Sequence, residues 1–172
     1  MASGDTLLTL DAQSSTPPAT AYATLDVRAG GSTPAESFVC LDFDDATDEH
    51  ADWVNLTLPR NYGGGGLTVT LKWRSPSATT GDCVWNAAIR RIADDAEDVD
   101  SAHTYDYNAA TGTTASAAGE EQYTDITFTD GADMDSLAVG ESFVLRIRRD
   151  ADNGSDTLSG DAELCGIEVR ET

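Results

Sequence analysis

Two clusters of carboxylates carry the densest chemistry in this 172-residue chain: Asp42, Asp44, Asp45, Asp48, Glu49, His50 and Asp52, and then Asp150, Asp152, Asn153, Asp156 and Asp161. Oxygen donors in such number suit calcium, which takes roughly six to eight of them. Neither cluster follows the order of a helix-loop-helix calcium loop. The first lacks a glycine at the sixth position, and in the second Gly154 arrives one residue early. With 31 Asp and Glu in the chain, clustering arises from numbers alone. A solvated turn is therefore the simpler reading of the first cluster, with Asp45 or Asp48 capping a turn or pairing with an arginine of another chain. In the second, Asn153-Gly154 is expected to supply positive φ values, and Arg146, Arg148 and Arg149 stand close enough in sequence to neutralise the acids. We assign no metal and no cofactor, and leave calcium at either cluster open.

Catalytic signals are poor. His50 and His103 are the only histidines, and neither a G-x-S-x-G elbow nor an H-E-x-x-H pair occurs. Glycosidases need two carboxylates at a set separation, but 31 acids make any one pair uninformative. The expectation is a protein with no catalytic residues. Aromatics offer a different chemistry, because flat rings stack on the C–H faces of sugars. Tyr62, Tyr105 and Tyr107, with Trp53, fall near strand ends or loops where such stacking is accessible. The competing reading is rim and core packing, and Trp73 and Trp85 belong to the core on their strand positions.

The elements that position these residues are strands. Residues 67–74 read LTVTLKWR, in which Leu67, Val69, Leu71 and Trp73 alternate with Thr68, Thr70, Lys72 and Arg74. A strand sends successive side chains to opposite faces, so one face is expected in a core and the other in water. Further strands are expected at 37–43, 53–58, 83–92, 123–129, 142–149 and 162–170, with weaker ones at 6–10, 22–27 and 103–108. Turn-rich connectors separate them, as in sandwiches rather than βαβ units. Tyr62 is followed by four glycines that take positive φ at little steric cost. The Ala-, Thr- and Gly-rich run 108–119 reads as an edge strand with a long loop. The fold class is all-β: an antiparallel, jelly-roll-like sandwich over 36–172, preceded by residues 1–35 as an extended arm or a floppy leader.

Composition narrows the setting. A chain of this length is one domain that buries roughly 70 % of its unfolded surface. Cys40, Cys83 and Cys165 are an odd number, sparse and placed in apolar strand patterns, which suits buried free thiols. The amino terminus has neither the charge nor the apolar run of a signal peptide, and no segment approaches the roughly 20 apolar residues of a membrane span. A cytoplasmic origin is expected, with the sequons at Asn55 and Asn153 due to chance. The formal net charge of −21 repels polyanions, so nucleic acid is excluded as a partner. Solubility in a salty habitat accounts for the same charge equally well.

The runs FVCLDFDDATDE, LPRNYGGGGLTVTLKW and SATTGDCVW, with LAVGESFVLRIRRDADNGSDT and SGDAELCGIEVRET later in the chain, resemble small acidic β-sandwich virion proteins of tailed bacteriophages. The resemblance covers the chain from about residue 36 onward. It implies a jelly-roll subunit on the particle and carries over no catalytic residue. On that reading the protein is a capsid decoration (cement) protein on the outer surface of the virion. It is made in the host cytoplasm, bridges major capsid proteins without membrane contact, and assembles as a homotrimer. The like-charged surface favours the outside of the shell over the packaged genome. Leu7, Leu8 and Leu10 in the arm, with Arg60, Asn61 and Tyr62, are then the expected interface residues. The alternative is a receptor- or glycan-binding module of a head or tail fibre, using Tyr62, Tyr105 and Tyr107.

Overall fold

The computed structural model describes residues 4–172, so the first three residues of the expected arm lie outside it. Ten strands form two antiparallel sheets: β1 (Thr6–Asp11), β2 (Thr24–Ala29), β3 (Ser37–Phe43), β4 (Glu49–Thr57), β5 (Leu67–Arg74), β6 (Asp82–Ile92), β7 (Asn108–Thr113), β8 (Gln122–Phe128), β9 (Ser142–Arg149) and β10 (Ala162–Glu171). Among the described residues helix is confined to two 3-10 turns, at Ala12–Ser14 and Ala132–Met134. Sheet A runs β2-β3-β10-β5-β8, and sheet B runs β4-β9-β6-β7. The all-β sandwich expected from the alternating patterns is what the chain forms.

The arm is a correction. Leu8, Thr9 and Leu10 of β1 pair antiparallel with Val169, Glu168 and Ile167 of β10, and β2 pairs with β3 along its whole length. β3 takes the first half of one edge of β10 and β1 takes the second half. The N-terminal 35 residues therefore contribute two strands to sheet A, and β1 is held there because its leucines face the core. Leu10 is buried, and Leu7 and Leu8 pack partly buried against the core. They are spent inside their own subunit rather than held out for a neighbour.

Facing residues of the two sheets build one core. Phe43, Leu67, Val69, Leu71, Trp73, Leu164, Ile167 and Val169 come from sheet A, and Trp53, Trp85, Ile89, Phe143, Leu145 and Ile147 from sheet B. Phe43 and Trp73 both meet Trp85 edge-on, at centroid distances of 5.0 and 5.9 Å, an arrangement that sets a ring's positive edge against a negative face. The alternation in β5 is confirmed, but its polar face is not wet. Thr68 and Thr70 are buried, because β5 lies between β10 and β8 and is roofed by their longer side chains. Thr70 donates to Asp125 at 2.6 Å, and Arg170 reaches over to bond Thr70 and Asp125.

Two other expectations fail locally. Residues 103–107 form no strand; the strand begins at Asn108, as β7. Asn153 and Gly154 do not take positive φ. That turn closes instead through Asn153 N–H to Asp150 O at 3.1 Å and Ser155 N–H to the Asn153 side chain at 3.0 Å. Cys40 and Cys83 are buried and Cys165 half-buried, and all three are free thiols. Burial first, and then the charges of Glu163 and Asp42, push the Cys40 thiol up to about 12.

Candidate functional site

The outer face of sheet B is shaped by its strand register. Outward residues of β9 are Val144, Arg146 and Arg148; across the ladder they meet Asp52 and His50 of β4 and Arg90, Ala88 and Asn86 of β6. Asn86 and Ala88 are buried although they point away from the core. The cover is the connection 93–107 between β6 and β7, which folds back over the sheet. Arg90 holds this connection down through Nη2 to the carbonyls of Asp98 and Ser101 at 3.1 and 3.4 Å. Ala93 N–H donates to Glu97 at 2.6 Å and closes its first turn.

Residues 102–107 run across the face with His103, Tyr105 and Tyr107 turned partly inward and Ala102, Thr104 and Asp106 exposed. The His103 and Tyr105 rings meet edge-on at 5.0 Å, and Tyr107 follows at 6.1 Å. Each tyrosine lies over one arginine of β9. The Arg146 guanidinium is 4.0 Å from the Tyr105 centroid, and that of Arg148 is 4.6 Å from Tyr107. Cation–π attraction of this kind strengthens where water is excluded. Burial pushes both phenols above their ordinary range, so both are neutral donors at physiological pH.

The arginines are fixed from their other edges. Arg146 donates Nε and Nη2 to the two oxygens of Asp52, both at 2.7 Å, a bidentate fork. That bond raises the guanidinium's affinity for its proton further. Arg148 donates Nε and Nη2 to Asn86 Oδ1 at 3.0 and 2.7 Å, and reaches Asp48 at 3.2 Å. Beside Arg146 a groove of about 320 Å³ opens, lined by Asp52, Val54, Asn55, Arg90, Tyr105 and Val144, with Val99 on its rim. A bulge in β4 between Trp53 and Leu56 makes one wall of it. Asn55 stands there at φ 56, a left-handed conformation that asparagine tolerates better than most residues, and the break in phase leaves Val54 and Asn55 both exposed. Polar forks, a ring and short apolar side chains thus converge on one concavity.

Of the residues singled out by sequence, Tyr105 and Tyr107 are brought together here and Tyr62 is not. Tyr62 is buried against the core, its hydroxyl donating to Asp130 at 2.8 Å and accepting from Gly66 N–H at 2.8 Å. It can present no ring to a sugar or a neighbour, because it closes the glycine loop from within. Trp53 is likewise core, its indole N–H bonded to Asp11 O at 3.0 Å. Arg60 and Asn61 are exposed at the far end of that loop. Asn86 was not singled out by sequence, Asp52 was read only as a member of the first acidic cluster, and Arg146 and Arg148 only as neutralising the second. The alternation of β9 marks Arg146 and Arg148 as outward, but nothing local in the sequence pairs Arg146 with Asp52, 94 positions away.

The two candidate calcium clusters meet in space. Asp48 of the first and Asp150 and Asp152 of the second bring carboxylate oxygens within 4.8 Å of one another. Arg148 bonds both Asp48 and Asp150, so these acids pair with an arginine of their own chain. A second group, Cys40, Asp42 and Glu163 on sheet A, is met by Arg28 at 3.1 Å from Glu163.

No family model and no curated protein matches the chain. Among solved structures it is similar to the CBM22-1 xylan-binding domain of Paenibacillus barcinonensis Xyn10C, with a TM-score of 0.54 at 14% identity over 98% of this chain and 95% of that one. It is also similar to the CBM22-2 xylan-binding domain of the same enzyme, with a TM-score of 0.53 at 10% identity over 96% and 99% of the two chains. At these identities the likeness is one of fold. It overturns the capsid-cement function expected from the sequence: the sandwich assigned there to a shell protein is shared with xylan-binding domains. Of the leucines expected to grip a capsomer, Leu10 is in the core and Leu7 and Leu8 pack partly buried against it.

Proposed function

We propose that this chain is a non-catalytic carbohydrate-binding module that holds a glycan in the groove on the outer face of sheet B. One observation carries the reading: Tyr105, the Asp52–Arg146 fork, Asn55 and the valines converge on a single concavity of about 320 Å³. Sugars offer both C–H faces and hydroxyls. The first pack on a ring and short aliphatic side chains, and the second need planar partners that donate and accept in pairs, as Asp, Asn and Arg do. The size is that of a small-molecule cleft, roughly 300 Å³ or more. The sandwich shared with two xylan-binding domains supports the reading. A net charge of −21 disfavours acidic polysaccharides, so the expected ligand is a neutral glycan.

Isothermal titration against a panel of soluble polysaccharides, xylan and other neutral β-glycans alongside polyuronates, tests this. Binding to at least one neutral polymer is expected. Tyr105→Ala should lower that affinity about tenfold or more by removing one stacked ring, and circular dichroism checks that the variant, which also loses the contact with Arg146, still folds. No binding across the panel, or binding indifferent to Tyr105→Ala, sinks the assignment.

A further inference from the structure

Sheet A has an unprotected edge. β2 pairs with β3 on one side, and among the described residues no strand lies on its other side. The neighbouring edge of sheet B is covered: Thr16 and Tyr22 bridge to Asp52 and His50 of β4. Edge strands are ordinarily blunted by lysine, proline or a bulge. β2 reads TLDVRA and pairs with β3 without a register shift, so it has no lysine, proline or bulge, and its two charged residues, Asp26 and Arg28, are of opposite sign. Its core-side residues are bare as well. Leu25 and Val27 stand opposite Leu41 and Val39, yet they are 57% and 55% exposed, because sheet A overhangs sheet B at this side. The patch continues through Tyr22.

We infer that β2 is a homodimer edge, which pairs antiparallel with β2 of a second copy across a two-fold axis at Val27. The sequence of the strand is self-complementary about that point. Val27 then faces its own symmetry mate, Leu25 faces Ala29, and on the opposite face Asp26 faces Arg28, twice over. Cross-strand pairs of opposite charge and of apolar residues are the stabilising unit of sheets. Charge also argues for this occupant. Asp26 makes no ion pair among the described residues, and its charge helps to push Asp42 up to about 6, after burial and together with Glu163 and Asp161. Within one copy Arg28, 3.1 Å from Glu163, and Arg74, 4.0 Å from it, serve that carboxylate rather than Asp26. In the dimer each Arg28 lies directly across from the other copy's Asp26, so one guanidinium serves two carboxylates. Six residues per edge bury less than the roughly 1,200 Å² of durable complexes, so the dimer is concentration-dependent, and the repulsion of two −21 chains weakens it at low salt.

Sedimentation equilibrium of the full chain in about 0.5 M NaCl, where screening is short-ranged, reads the mass directly. The mass should rise with concentration from 18.1 kDa toward twice that value. Asp26→Arg, which sets arginine against arginine across the axis, and Val27→Lys should each weaken association at least tenfold. Both sites are exposed, and circular dichroism confirms that the variants fold. Tyr123→Ala, on the exposed face of β8, should leave association unchanged. A chain that stays at the monomer mass throughout, a different stoichiometry, or a dimer that survives either edge variant overturns the inference.

Discussion

At the scale of single residues, Asp52 is the side chain on which the groove depends most. Its two oxygens hold Arg146 flat beneath Tyr105, and both partners are largely out of water. Asp52→Asn keeps the shape but removes the charge and one acceptor. It is expected to cost about 1–3 kcal/mol of stability, below the full penalty for a dry pair, and to weaken glycan affinity in parallel. Urea unfolding and titration on the same preparation check both. Asp42 works in the opposite sense. Burial, then the charges of Asp26, Glu163 and Asp161, raise its carboxyl from 3.8 to about 6. The folded chain therefore holds this proton more tightly than the unfolded one, and stability falls as pH rises between those two values. Asp42→Asn should be more stable than the native chain at pH 7, by about 1–2 kcal/mol after discounting for solvent screening, and nearly equal to it at about pH 4. Denaturant midpoints at the two pH values decide it. That Asp42 is crowded was visible in the run of acids around it. The acids that crowd it through space, Asp26, Asp161 and Glu163, lie in other strands and loops.

At the scale of elements, the connection 150–161 is held to the sandwich by a buried arginine, besides the Thr157 and Leu158 N–H bonds to Asp82 O. Arg149, at the end of β9, is 0% exposed. It donates Nε and Nη2 to the two oxygens of Asp156 at 3.1 and 2.8 Å, and Nη1 and Nη2 to the carbonyls of Phe43, Gly160 and Leu158. All donors on this buried guanidinium therefore have partners, the condition under which a buried cation is tolerated. Arg149→Met leaves Asp156 without its cation and three carbonyls without a donor. A loss of about 3–5 kcal/mol is expected, read as a fall in the urea midpoint, with earlier proteolysis in 150–161. The sequence placed Arg149 beside these acids and so anticipated the neutralisation. Alternation in β9 sends Arg149 to the core face with Phe143, Leu145 and Ile147, but the carbonyls that satisfy it there come from β3 and the 150–161 connection and show only in the fold.

At the scale of the molecule, the net charge of −21 acts on every equilibrium. Like charges on a compact surface repel more than on an expanded chain, so the native state gains from screening. Raising NaCl from about 0.05 to 0.5 M shortens the screening length severalfold. The urea midpoint should rise with it, and a midpoint that falls or stays level would show that the eleven arginine and lysine ion pairs between described residues outweigh the repulsion.

Period-two patterning was enough to read from the chain the two-sheet architecture and most of its strands, β5, β9 and β10 above all, because one face of each must leave water. It also identified Tyr105 and Tyr107 as rings near a surface. Tertiary structure decided the rest. Whether Tyr62 meets solvent depends on a hydroxyl partner 68 residues away, and whether 6–29 is arm or sheet depends on a free edge of β10. The groove exists because a connection of no regular structure folds back over one sheet and a bulge in β4 turns Asn55 outward. Patterning records which side chains avoid water; which of them meet is settled by register and by the paths of loops.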